Sequence, residues 1–570
     1  MSREVDNLVV DPWSYYTFKG RFSDRANARA WAAPNWITDY QDRRRLQAYI
    51  LLESYVMNMA RAWLNSSASE GDKQDRREYG DPSIIVDQIC ASVLGESFGL
   101  HVRGAQEPVQ DRTEDQSVEP ITTPEYEALL LLEEWAEEEH FDMKVVENEN
   151  QSIKLGDSVM VLGWSSRKNR PVLNVWDPGF YFPVWSDSGS DAEGFTQEFP
   201  EKVHIAYEYE VKVNENRTDT FVRRITYELR PRDEEDPNSE VTCFMDDGVW
   251  LVSGGKKNDG VYDLAPEEGT YTKADLDLNI DFIPVVYFPN FDPGQYNWSY
   301  SCLGPVMQIL DDLQATDTDL QAAGAVAGTP PIAVSGAQFG EGEISTYGPA
   351  TVYQLGDGTM STVDTSAGMR VLAEYKNELL ERLSINSKVP ESMLGRVKPS
   401  DVPSGIALWL SFAPHSGMIK EMRRIRQVKY RLLLKMVLRM YANDGEEVDA
   451  ESITPEMRFG SYLPADRMET IKMVVEAMNA SKNPMSLETA VRMLSESGVP
   501  IDDVQAEVRL IEKRMVEEAL SLVQATGDIN AGRRLLGYED GEEVAQPPVG
   551  SQPGVNEPSP EEDESATFFE

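Results

Sequence analysis

Carboxylates are the most abundant reactive groups in this 570-residue chain: 98 Asp and Glu stand against 53 Lys and Arg, a formal charge of −45. Glu133, Glu134, Glu137, Glu138 and Glu139 crowd one stretch. Nothing there singles out a pair for general acid–base work, and the run reads as a solvated helix face. Asp275 and Asp277 have the D-x-D spacing that can hold a divalent ion, but a turn is the better reading of the pattern by itself. Gly254-Gly255-Lys256 lacks the rest of a phosphate loop, and Ser404-Gly405 has no catalytic company. There is no GxxxxGK[ST], no GxSxG with a plausible triad and no complete dinucleotide fingerprint. His101, His140, His204 and His415 form no HExxH and lie apart from Cys90, Cys243 and Cys302, so no zinc site is expected. Three scattered cysteines fit no disulfide framework and suit a reducing compartment. The expectation is a chain that is not an enzyme and holds no cofactor or metal.

The basic residues are more informative because they are concentrated. Residues 385–406 carry Lys388, Arg396 and Lys398 against only Glu391 and Asp401, among Pro390, Gly395, Pro399, Pro403 and Gly405. That composition reads as a loop. A long helix follows, from about Ala407 to Tyr441, with a bend expected at Pro414. Its segment Met418–Met440 has eight Lys/Arg and one Glu. At about 100° per residue, Lys420, Arg424, Arg431 and Lys435 share one side, with Arg439 nearby. Met422, Ile425, Leu432, Leu433, Met436 and Met440 take the opposing side. A buried apolar face with an exposed basic stripe is coherent. The stripe faces either nucleic acid or acidic groups of an adjacent subunit, and the latter is favoured in so acidic a chain. Lys388 or Lys398 could touch a phosphate backbone without reading bases. Arg43, Arg44 and Arg45 offer another basic cluster, read as a solvated or salt-bridged face.

These groups sit on a chain long enough for several domains, with 41% hydrophobic residues to build cores. No apolar run reaches membrane-span length, and Met1–Val10 has no apolar signal region, so a cytoplasmic site of synthesis is expected. Helices are expected over Asp39–Leu64, from Pro82, with Ile84, Ile85, Ile89, Val93 and Leu94 on its buried side, and over Ile121–Val145. From Lys154 the period shortens. Strands are expected at Asp157–Trp164, Val172–Trp176, Phe180–Trp185, His204–Val213, Phe221–Leu229, Val241–Phe244, Val249–Val252 and Ile283–Pro289, a mostly antiparallel pattern. A helix from Cys302 or Pro305 to about Ala323 and another over Ser366–Leu383 bracket a Gly-rich, β-prone lobe. An inserted lobe with neighbouring ends requires its flanking helices to lie side by side, so an antiparallel pair is inferred. After the basic helix come a short strand within Glu451–Phe459 and three helices: Ala465–Ala480, one capped by Ser486, and Asp502–Val523. Residues 536–570 hold no Lys or Arg and read as a disordered acidic tail.

In this order the parts resemble a portal protein of tailed double-stranded DNA bacteriophages, of the siphophage type. The likeness rests on SYSCLGPVMQILDDLQATDTDLQ at 299–321, the lobe at 327–363, YKNELLERLSINSKVPESMLGRVKPSDVPSGIALWLSFAPH at 375–415, and the helical pattern at 463–515. It covers about Trp298–Met515 well, whereas the first 290 residues agree in size and α+β character. The resemblance implies an α+β portal fold with a wing, paired stem helices, a small α/β clip and a helical crown. The wing would be 1–297, the stem helices 298–326 and 364–384, and the clip 327–363. The tunnel loop would be 385–406, a wing helix and strand 407–462, the crown 463–535, and the acidic tail 536–570.

The implied function is a ring, a dodecamer in this family, at the capsid vertex of the virion, assembled in host cytoplasm. Double-stranded DNA would pass non-specifically during genome packaging and ejection. The implied partners are terminase, then a head-tail adaptor or connector, and major capsid and scaffold protein, with no membrane. Lys388, Arg396 and Lys398 would belong to the DNA channel. Lys420, Arg424, Arg431 and Lys435 would face a neighbouring subunit or DNA. The competing expectations are another virion structural protein, such as a head-tail adaptor or minor capsid protein, or a metal-dependent hydrolase or nuclease.

Overall fold

The computed structural model describes residues 40–61, 77–105, 123–184, 200–214, 217–233, 239–251, 269–293, 298–328, 332–335, 359–362, 366–396, 410–446, 448–462, 467–479, 485–496 and 504–526. The chain divides into two compact units, Met1–Leu463 and Pro464–Glu570. The fold is mixed α+β, and every strand pairing among the described residues is antiparallel.

The first unit opens with α1 (Tyr40–Val56) and α2 (Asp81–Leu94). Ile85, Ile89 and Val93 recur every four residues on α2 and are fully buried. Ile84, expected on that side, is instead 43% exposed. The single helix expected over Ile121–Val145 is two, α3 (Pro124–Glu138) and α4 (Phe141–Leu155). His140 separates them in the left-handed region, at φ 52°. The physical reason lies next door. Glu139, expected on a solvated face, is buried and accepts from Lys144 Nζ at 2.6 Å, from Arg170 Nη2 at 3.0 Å and from the Leu173 N–H at 3.2 Å. Burial raises its carboxyl, but these donors outweigh burial and hold it below its ordinary value.

Strands β2 (Asp157–Ser165), β3 (Arg170–Trp176) and β9 (Val285–Pro289) form one sheet in the order β3-β2-β9. Residues 157–162 of β2 are all buried, as a central strand covered on both faces requires. A second sheet runs β4 (Tyr181–Val184), β5 (Lys202–Asn214), β6 (Arg217–Pro231), β7 (Val241–Leu251) and β8 (Thr270–Asp277) in chain order. Here β7 replaces the two short strands expected. Asp246-Asp247-Gly248 sits inside it as a register shift, not a turn. Asp247 is buried against Arg223, which donates from Nε at 2.9 Å and Nη2 at 2.7 Å. Asp275 and Asp277 likewise lie on β8 rather than in a turn. Asp275 pairs with Arg230, and Asp277 with Arg232 at 2.9 Å.

The helix pair follows. α5 (Met307–Gly328) and α6 (Ser366–Ser387) pack together, and between them β10 (Ile332–Ser335) pairs with β11 (Thr359–Thr362). Asp317 of α5 pairs with Lys376 of α6. Leu313, one turn earlier, shares a cavity with Leu380 and Leu383, one and two turns later, so the helices are antiparallel. α7 (Ala413–Asp444) then crosses the unit. Pro414 occupies its first turn, where no intrahelical N–H is lost, instead of bending its interior. β12 (Pro455–Phe459) closes on β1 (Phe98–Val102), a strand not expected from sequence.

The second unit contains α8 (Arg467–Asn479), α9 (Leu487–Glu496) and α10 (Val504–Thr526). Ser486 caps α9 by accepting from the Thr489 N–H at 3.2 Å. The acidic tail 536–570 lies outside the described residues.

Candidate functional site

The expected DNA-facing groups fall on the end of α6, the turn that follows it and the exposed side of α7. The segment read as a loop from Ile385 begins later, because Ile385–Ser387 still belong to α6. Lys388 stops the helix by adopting φ 59°. Pro390 is buried behind it. Its carbonyl accepts from the Met393 N–H at 2.9 Å, and the Glu391 carbonyl accepts from the Arg396 N–H at 3.0 Å, which closes a compact turn. Lys388 is exposed and, among the described residues, makes no ion pair. Arg396 pairs with Glu391 at 2.9 Å, so part of its charge is already neutralised. Lys398 lies outside the described residues, as do Gly254-Gly255-Lys256 and Ser404-Gly405.

His415 fastens this turn to the body. Its Nδ1 is 3.1 Å from the Lys388 carbonyl, and its Nε2 is 2.9 Å from Ser92 Oγ on α2. A carbonyl only accepts, so Nδ1 carries the proton toward Lys388, while the Ser92 hydroxyl that meets Nε2 also donates to the Gln88 carbonyl at 2.8 Å. Burial pushes the imidazole below its ordinary 6.5, although the Lys388 carbonyl opposes that. These two contacts join the turn after α6 to α2 and α7.

Along α7 the four candidate cations do not share one environment. Lys420 and Arg424 are exposed, one turn apart, and make no ion pair among the described residues. Arg431 is half-buried and pairs with Glu456 at 3.0 Å, and that carboxylate also takes Arg103 at 2.5 Å. Lys435 is half-buried, and Arg439 bridges Asp281 at 3.1 Å and Glu451 at 3.4 Å. Of the four, Lys420 and Arg424 are the exposed ones; Lys435, though half-buried, makes no ion pair among the described residues either. An arriving polyanion would meet Lys420 and Arg424 with little competition, while Arg431 and Arg439 are engaged within the chain.

One basic residue of α7 was missed as a core residue. Arg426 is fully buried. It donates to Glu149 at 2.8 Å, to the Pro289 and Asn290 carbonyls at 2.8 and 2.6 Å, and to Ser152 Oγ at 2.9 Å. Tyr430 donates to the same Glu149 at 2.9 Å, and burial pushes its phenol well above 10.0. These contacts lock α7 to α4 and β9. The signal was in the spacing: Met422, Arg426, Tyr430, Leu433 and Val437 form one buried stripe. Arg45 is a second such case. It was expected on a solvated or salt-bridged face but is buried, donating to the Pro178 and Tyr181 carbonyls at 2.7 and 3.1 Å, with its guanidinium 3.6 Å from the Trp298 ring centroid. Beside it Asp157 is enclosed by Tyr49, Tyr287 and the Ser299 N–H. Burial raises its carboxyl despite those three donors.

Among the described residues no group of three His, Cys, Asp or Glu could hold a metal ion, and no helix is long and apolar enough to cross a membrane. Cys90, Cys243 and Cys302 are free and buried, and burial pushes their thiols up to about 12, 12 and 11. Comparison of the sequence with protein-family models and with curated proteins found no match.

Proposed function

We propose that this chain is a portal protein of a tailed double-stranded DNA bacteriophage. Copies of it would close into a ring at the capsid vertex and conduct the genome during packaging and ejection. The observation that carries the reading is the order of parts around α5 and α6. Two 22-residue helices run antiparallel and flank a two-stranded antiparallel pair. A compact turn bearing Lys388 follows, and then the 32-residue α7.

Two physical features support it. The half of the helix pair nearer the β10–β11 strands carries apolar groups in solvent: Val326 is 47% exposed, Val371 64% and Tyr375 45%. An isolated chain gains nothing from such a surface, whereas a ring of heterologous contacts would cover it on every copy. The distribution of charge also suits a conduit. A chain of −45 repels DNA in general, and a few exposed cations give contacts weak enough to let it slide. In this role terminase would dock first and a head-tail connector later, with capsid and scaffold proteins met during assembly. The energy for translocation would come from the motor.

Imaging the purified full-length chain by negative-stain electron microscopy tests the proposal. Rings with a central hole are expected. Particles without a hole, in every view, would overturn it.

A further inference from the structure

A cavity of about 270 Å³ opens between α2, the helix pair and the 390–396 turn. Its apolar wall is built from Ile85, Leu313, Leu380 and Leu383. Four ionic groups line it as well, and three have partners. Asp317 is paired with Lys376, and Arg396 with Glu391. Asp81, in the first turn of α2, has no ion pair among the described residues. We propose that this cavity binds a primary alkylammonium ion, its stem against Leu313, Leu380 and Leu383 and its ammonium on the Asp81 carboxylate. The inference does not rest on the proposed function.

The chemistry of the walls selects this class. An anion would meet two carboxylates whose cationic neighbours are shared or engaged. A hard divalent cation wants six or more oxygen ligands, and aliphatic walls supply none. A neutral apolar guest would remove water from Asp81 and offer nothing in return. A cation on an apolar stem satisfies both parts of the site. The state of Asp81 agrees: burial raises its carboxyl, the nearby Asp317 raises it further, and Lys376 only partly opposes them. A second positive charge would relieve that strain on the carboxylate. Tyr79 also lines the cavity, its ring centroid 5.7 Å from Lys376 Nζ, so that ammonium is shared between Asp317 and the ring face.

The same ammonium can arrive as a small free amine or as a lysine side chain of another protein. Thermal unfolding of the full-length chain separates these sources. The probes are pentylammonium chloride, Nα-acetyl-lysine methylamide and, as neutral control, 1-pentanol. A saturable rise in midpoint with an ammonium probe, and none with pentanol, is expected. Pentylammonium binding marks a free amine, and binding of the capped lysine alone marks a presented side chain. Asp81→Asn should weaken binding roughly tenfold or more, the loss of one charge-assisted contact. Ile84→Trp, made at a half-exposed position on the rim, should occlude the cavity while leaving the unliganded midpoint nearly unchanged. No saturable shift with either ammonium, an equal shift with pentanol, or unchanged binding by Asp81→Asn would overturn the proposal.

Discussion

Arg426 and Glu149 are both without solvent exposure, and each satisfies the other. Removing one partner leaves a buried, uncompensated charge, so Arg426→Met should destabilise the chain by about 3–5 kcal/mol. Adding Glu149→Leu should recover much of that loss. Chemical denaturation of the two single variants and the double variant checks this; a double variant no more stable than Arg426→Met would refute it. His204 makes a second residue-scale prediction. Its Nδ1 lies 2.8 Å from Thr226 Oγ1, and burial, with Arg224 and Lys202 nearby, lowers its pKa from 6.5 to about 3. Below 6.5 the unfolded chain takes up a proton that the folded chain refuses, so stability is lost as pH falls from 6.5 toward 3. His204→Gln should flatten that part of the dependence, read as denaturation midpoints between neutral and mildly acid pH. Residues of this kind were the least legible. Charge on a helix normally means solvent, and only the shared spacing with Met422 and Tyr430 marks Arg426 as inward.

At the scale of elements, most of the framework could be read from periodicity. The helix read over Ser366–Leu383 spans Ser366–Ser387, and the strands read at Asp157–Trp164 and His204–Val213 run one and three residues longer. The failures have physical causes. β8 reads TYTKADLD and lies exposed along most of its length at a sheet edge, so it carries no apolar alternation. β7 was divided because Asp-Asp-Gly signals a turn, whereas Arg223 holds Asp247 inside the sheet. Some tertiary choices are invisible to pattern altogether. Gly95, at φ 77°, lets its backbone approach Gly460, where an added Cβ would sit 2.5 Å from the carbonyl oxygen. The proposed function gives a prediction for the segment 385–406 read as the tunnel loop. Reversing charge at Lys388 and Lys398 together, each to Glu, should lower the yield of DNA-filled heads by several-fold while leaving particle assembly intact. An unchanged yield of filled heads would show that these lysines do not meet the duplex.

For the whole molecule, the candidate site is legible only in part. Lys420 and Arg424 have the exposure expected of them, Arg431 is engaged with Glu456, and Lys398 lies outside the described residues. What one chain leaves exposed is the more telling feature. Val371 and Tyr375 lie a turn apart on α6 in solvent, and Lys388, Lys420 and Arg424 are exposed on a chain of −45. In the proposed ring, both surfaces would be covered by or turned toward neighbouring copies. The native mass of the purified chain in dilute solution tests that closure most directly. A portal ring requires a discrete species near twelve times the 64.0 kDa of one chain, persisting on dilution. A single species of 64.0 kDa at every concentration would contradict it.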